Sequence, residues 1–142
     1  MIQVISGIQN TSAALDAEQT RLDVISQNIA NVNTTHGMDG KPYQRQVVVF
    51  ESALQQAVNR DGSLQMSPVQ VARVEKDNQP ALQIYDPGNP DADSNGMVST
   101  PNINVDEEMA DLISASRAYE ANLAVAKNSH AMAMETLSMG KV

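Results

Sequence analysis

Leu22-Asp23-Val24-Ile25-Ser26-Gln27-Asn28-Ile29-Ala30-Asn31-Val32-Asn33-Thr34-Thr35 is the stretch that decides the fold. Its apolar residues Leu22, Ile25, Ile29 and Val32 step by three, four and three, which puts them on one stripe of an α-helix. The pattern runs backward to the start of the chain. Met1, Ile8, Leu15, Leu22 and Ile29 are each seven apart, the spacing of a coiled-coil seam rather than of a broad globular face. The companion line Val4, Thr11, Glu18, Ile25 and Val32 holds two polar members, so the helix needs a partner and is a weak zipper by itself.

The other end of the chain supplies a matching element. Met109, Ser116, Leu123, His130 and Leu137 are seven apart, with Leu112, Tyr119, Ala126 and Ala133 beside them. The expected fold is mainly α with a small β-rich insertion. Two long terminal helices pair as a coiled-coil-like bundle in an elongated subunit. The domains follow from this: residues 1–35 with 105–142 form the helical part, and 36–104 the insertion and linker. An antiparallel hairpin closing a monomer is the competing arrangement.

Composition narrows the function. The 142 residues make one domain of ordinary size, but with 3% aromatics, one Phe, no Trp and eight Met the core must be built from aliphatics, Ala and Met. The net charge of −8 carries no basic patch, which argues against nucleic acid as a partner. No Cys is present, so disulfides and thiolate metal sites are excluded. The N-terminus lacks the basic and apolar regions of a cleavable signal peptide. No apolar run approaches the roughly 20 residues of a membrane span. These features alone read as cytosolic.

In chain order, residues 1–33 are expected as one helix of about 50 Å at 1.5 Å per residue, ended by Asn31, Asn33, Thr34, Thr35 and Gly37. Residues 34–45 are a loop. Gln46–Glu51, with its Val47-Val48-Val49 run, is a strand, and 51–59 is helix or strand. Asp61-Gly62 marks a turn. Strands are expected around Val69–Val74 and Ala81–Tyr85. Residues 86–101 hold Pro87, Gly88, Pro90, Gly96 and Pro101, and read as irregular. A second helix runs from about Val105 to about Met139 and stops at Gly140. Asn104 is its N-cap, with Glu107 placed as in a capping box.

Three features invite a chemical reading. Asp91-Ala92-Asp93-Ser94-Asn95-Gly96 opens like a calcium loop, but Asn102 stands where the closing carboxylate belongs. An Asx-rich turn is the default. His36 and His130 have no Ser or Asp in a suggestive pattern and make a poor metal pair. Asp106, Glu107 and Glu108 are explained by helix capping and the helix dipole without a substrate. No catalytic residue, metal ligand or cofactor site is assigned.

Residues 22–34 together with Ser116-Arg117-Ala118-Tyr119-Glu120-Ala121-Asn122 resemble the axial proteins of the bacterial flagellum, the rod, hook and hook-associated proteins. Tyr85-Asp86-Pro87, Pro90-Asp91-Ala92-Asp93, Gly96 and Pro101-Asn102-Ile103-Asn104 resemble the short proximal-rod members, although Met97 stands where that family implies an aromatic. The resemblance implies a structural, self-assembling subunit with terminal helices bundled around a channel. It implies export by the flagellar type III apparatus without a cleaved signal, a place in the periplasmic basal body, and torque transmission. The implied partners are copies of the chain, other rod proteins and the export apparatus, with no nucleic acid and no small-molecule substrate. A soluble helical-hairpin adaptor or a small enzyme is the alternative. Repeat and resemblance together mark an assembly seam at Ile8, Leu15, Leu22, Ile25, Asn28, Ile29, Asn31 and Val32 on the first helix. On the second it comprises Met109, Leu112, Tyr119, Asn122, Leu123, Ala126 and Leu137.

Overall fold

A computed structural model describes residues 2–37, 39–52 and 69–139. The elements are α1 (Ile2–Ala30), β1 (Gln46–Ser52), β2 (Val69–Lys76), β3 (Leu82–Tyr85), β4 (Met97–Thr100) and α2 (Val105–Met139). The fold is mostly helical with a small antiparallel insertion. The expected turn at Asp61-Gly62, the continuation beyond Ser52 and the stop at Gly140 lie outside the described residues.

α1 ends at Ala30, short of the expected 33, because its hydrogen bonding tightens there. The Asn31 amide is shared between the carbonyls of Gln27 and Asn28 at 3.1 and 3.2 Å, and the Val32 and Thr34 amides reach back only three residues. The Asn31 side chain then caps Gln27 O at 2.8 Å. α2 starts where expected. Asn104 Oδ1 accepts from the Asp106 amide at 3.1 Å, and its carbonyl accepts the first helical bond from Glu108 N at 3.0 Å.

The two helices pack against each other antiparallel, since Arg21 meets Asp111 and Asn28, further along α1, meets Glu108. The face used inside the subunit is turned from the aliphatic line of the repeat. On α1 the buried side chains are Ala17, Val24, Ile25 and Asn28. On α2 they are Glu108 and Ala115, continued by half-buried Leu112, Tyr119, Asn122 and Ala126 at alternating steps of four and three. Leu15, Leu22, Ile29, Asn31, Val32 and Leu123 lie half-buried, while Ile8, Met109, His130 and Leu137 are exposed. On α2 the inner line therefore begins at Glu108, one residue before Met109, and apart from Leu112 is made of small or hydrogen-bonding side chains.

β1 and β2 form one two-stranded sheet, with a bulge that leaves Ala72 unpaired between Val49↔Arg73 and Phe50↔Val71. α1 packs on this sheet. β3 and β4 form a second, from Leu82↔Thr100 to Tyr85↔Met97. β4 corrects the expectation of irregular chain over 86–101. Four residues fit between Gly96 and Pro101, and in a two-stranded hairpin the proline falls just past the strand, where no ladder bond is lost. Val98 of β4 is buried, and Met97, in place of the implied aromatic, is half-buried opposite Tyr85.

The Asp-rich stretch builds the turn of this hairpin. Asp93 Oδ1 accepts from the amides of Asn95 and Met97 at 2.8 and 2.9 Å, an Asx arrangement. Asp91 accepts from the Thr35 hydroxyl at 2.6 Å and lies 3.9 Å from His36 Nδ1, tying the hairpin to the loop that follows α1. Gly96 has φ of 75°, and a Cβ there would stand 3.0 Å from Tyr85 Cε2 and 3.2 Å from Pro87 Cβ. Gly96→Ala is therefore expected to destabilise the protein by about 1–2 kcal/mol. Chemical denaturation checks this; an unchanged midpoint would contradict the left-handed turn.

Candidate functional site

The helices, the start of β1 and the end of β2 meet at a buried polar cluster. The loop before β1 is folded back by Tyr43 N to Thr34 O at 3.1 Å, which brings Tyr43, Arg45 and Gln46 against the last turns of α1. Asn28 faces them and is 1% exposed. Its amide nitrogen donates to Gln46 O at 2.9 Å and to Glu108 Oε2 at 3.1 Å. Its amide oxygen accepts from Gln46 N at 2.9 Å and from the Tyr43 hydroxyl at 3.1 Å. Both donors and both acceptor sites of the amide are thus used, which no other side chain of this size reproduces.

Glu108 is also 1% exposed. Its second oxygen accepts from Arg45 Nε at 2.6 Å, and Arg45 Nη1 lies 3.6 Å from Asp77 Oδ2. Asp77 N in turn donates to Arg45 O at 2.7 Å, just past β2. The cluster therefore joins α1, β1, the end of β2 and the first turn of α2. Nearby, Arg21 bridges α1 to Asp111 at 3.3 Å on the protein's edge. An open groove of 310 Å³ runs alongside, with Val24, Ile25, Val47 and Phe50 in its wall.

The electrostatics follow from this packing. Burial, reinforced by the Glu108 charge, raises the Tyr43 phenol above its ordinary value. Burial works against the Arg45 charge, but the hydrogen bond and charge of Glu108, with Asp77 behind, outweigh it and hold the guanidinium above its ordinary value. The arrangement positions backbone; it presents no nucleophile paired with a base.

Glu108 corrects one expectation. It was grouped with Asp106 and Glu107 as a dipole-compensating residue, yet its side chain turns inward to Asn28 and Arg45. The signal for this was in the sequence: Glu108 lies four residues before Leu112, on the extension of the inner face. Tyr43 and Arg45 fall in the expected loop and Asp77 beyond the expected strand Val69–Val74, and no local pattern marks any of the three. Of the expected seam, Asn28 sits in this cluster and Ile25 beside the groove. Among the described residues no group of three His, Cys, Asp or Glu side chains is placed to hold a metal ion. No described helix is long and apolar enough to cross a membrane.

Comparison with known proteins covers both helical ends and nearly the whole chain. Residues 8–37 match the family "Flagella basal body rod protein", and residues 94–139 match "Flagellar basal body rod FlgEFG protein C-terminal". Relatives named flagellar basal-body rod protein FlgC include that of Borreliella burgdorferi, 40% identical over 96% of this chain and 97% of the relative. The Salmonella typhimurium protein is 39% identical over 91% and 92%. The Bacillus subtilis protein is 34% identical over 92% and 94%.

Two outcomes follow from the cluster. Glu108→Ala leaves Arg45 and one Asn28 donor without their acceptor and is expected to cost about 3 kcal/mol, read by chemical denaturation. The raised Tyr43 phenol gives an alkaline limit. The unfolded chain releases this proton near pH 10 and the folded chain only above it, so stability is intact below about pH 10 and falls as pH rises further. Denaturation midpoints taken on either side of that pH, with Tyr43→Phe flattening the decline, check the sign.

Proposed function

The chain belongs to the flagellar basal-body rod protein family, with FlgC proteins among its relatives, and from that membership we propose how its surfaces build the rod. It is a structural subunit of the flagellar basal body rod. The relatives' names describe no adaptor and no enzyme.

In the proposed assembly, α1 and α2 of many copies bundle with each other and with other rod proteins around a central channel. One observation carries this reading. Ile113, Val125, Met132, Met134, Leu137 and Met139 of α2 are each more than half exposed. Aliphatic and Met side chains in such number along one helix are the mark of a surface that other proteins cover. Ile113, Val125, Met132 and Met139 lie away from the line Glu108, Leu112, Ala115 and Tyr119, which the subunit uses for itself, while Leu137 continues that line toward the end of α2. Leu15, Leu22, Ile29 and Leu123 on the half-buried flanks extend this surface as an intersubunit seam. The domain division has residues 1–35 and 105–142 as the assembling part and 36–104 as the insertion that braces it. The chain reaches the periplasmic basal body through the flagellar export apparatus, unfolded and without a cleaved signal, and once assembled passes torque outward.

The test separates assembly from folding. Ile113→Asp and Val125→Asp alter side chains that are open to solvent in the subunit, so the purified chain should keep its denaturation midpoint. In cells the same variants should abolish motility and leave basal bodies without complete rods, because a charge enters a dry helix contact. Motile cells carrying stable variant protein would defeat the assembly surface proposed for α2.

A further inference from the structure

We propose that the bonds from Glu108 to Asn28 and Arg45 set the axial position of α2 along α1. Three observations carry this. The first is that the buried apolar side chains of the described helix pair are Ala17, Val24, Ile25 and Ala115, with Leu112 and Tyr119 half-buried beside them. With Ala at two of these four buried positions, few large knobs oppose a slide of one helix along the other.

The second observation is that the path into α2 does not fix it. The β3–β4 hairpin, which leads into α2, packs on no other described helix or strand. It is tied elsewhere through Asp91, which meets the Thr35 hydroxyl and lies near His36, while Asn102 to Gln79 links only the two segments that flank it. α2 in turn has α1 as its sole neighbour among the described helices and strands.

The third is the specificity of the cluster itself. Asn28 is held by both backbone polar groups of Gln46, and Arg45 by Asp77, so α1 and the first sheet present a fixed acceptor-seeking site. Glu108 is the one α2 residue that answers it. Moving α2 by a turn or a heptad in either direction withdraws the carboxylate and leaves the Asn28 and Arg45 donors short of an acceptor in a buried place. A buried polar contact that selects one register from several similar ones is the best attested use of such groups. The proposal concerns contacts within one chain, so it stands or falls independently of the rod reading.

The absence of Cys allows a direct test on the full purified chain. Spin labels at Gln19→Cys and Ser114→Cys, both exposed, report the separation of the helices by pulsed dipolar spectroscopy. With the native cluster we expect one narrow distance. In Glu108→Leu with Arg45→Met, helical circular dichroism should persist while the distance distribution splits or broadens about twofold or more, as several registers become populated. Glu108→Gln, which keeps shape but loses the charge-assisted bond, should broaden it partially and serves if the double variant loses its helices. Removing the edge ion pair with Arg21→Ala and Asp111→Ala should leave the distance narrow. An unchanged narrow distance in the helical double variant, or in Glu108→Gln, would overturn the proposal. So would equal broadening on loss of the edge ion pair.

Discussion

A carboxylate with 1% exposure at the first turn of a helix is the constraint on which the structure rests. Removing an ion from water costs several kcal/mol even after relaxation, so Glu108 stays only where its partners are supplied in full. Asn28 and Arg45 supply them, and each is held in place by backbone: Asn28 by both groups of Gln46, Arg45 by its carbonyl bond from Asp77 N. The start of β1, the end of β2, the last turns of α1 and the entry of α2 are therefore fixed by a single requirement. The N-cap at Asn104 belongs to the same requirement, because it sets where the helix begins and hence where its fourth residue points.

This constraint matters more here than it would in a richer core. The buried apolar side chains among the described residues are Ala17, Val24, Ile25, Val98, Pro101 and Ala115, and of these Ala17, Val24 and Ala115 are small or modest in size. Area of that extent gives stability but little uniqueness. Directional bonds supply what the packing does not. The cluster also explains why a two-stranded sheet, marginal by itself, is retained beside the helices: β1 is pinned at its first residue by Asn28 and covered by α1.

Much of the fold was legible in the residues. The three–four spacing in both terminal stretches, the Asn104 cap, the Val47–Phe50 run and the turn residues around Gly96 each report a local preference that the tertiary structure leaves intact. Two things were not legible, for physical reasons. The expected seam holds Ile25, Asn28, Leu112, Tyr119, Asn122 and Ala126, which lie on the subunit's inner face, beside larger aliphatics such as Leu15 and Leu22, but it does not include Ala17, Ala115 and Glu108, which are buried there as well. Hydropathy periodicity finds the greasiest stripe, whatever eventually covers it. The cluster itself depends on Tyr43, Arg45 and Asp77, which come together through non-local pairing that no window of sequence contains. β4 was hidden because its four residues sit between Gly96 and Pro101, and strand pairing with β3, not local propensity, forms it.

The division between the two kinds of face has its own logic. Inside the subunit, where one arrangement is required, the contacts are polar, directional and exacting in geometry. Outward, along Ile113, Val125, Met132 and Met139, they are aliphatic or thioether, tolerant of small changes in angle. A rod subunit in the proposed assembly meets copies of itself and different proteins, and the flexible Met side chains can repack against each. Such a surface can bind without dictating its owner's shape only if that shape is already settled elsewhere. The cluster around Glu108 settles it, and the adaptable outer face is useful because the inner one is not adaptable.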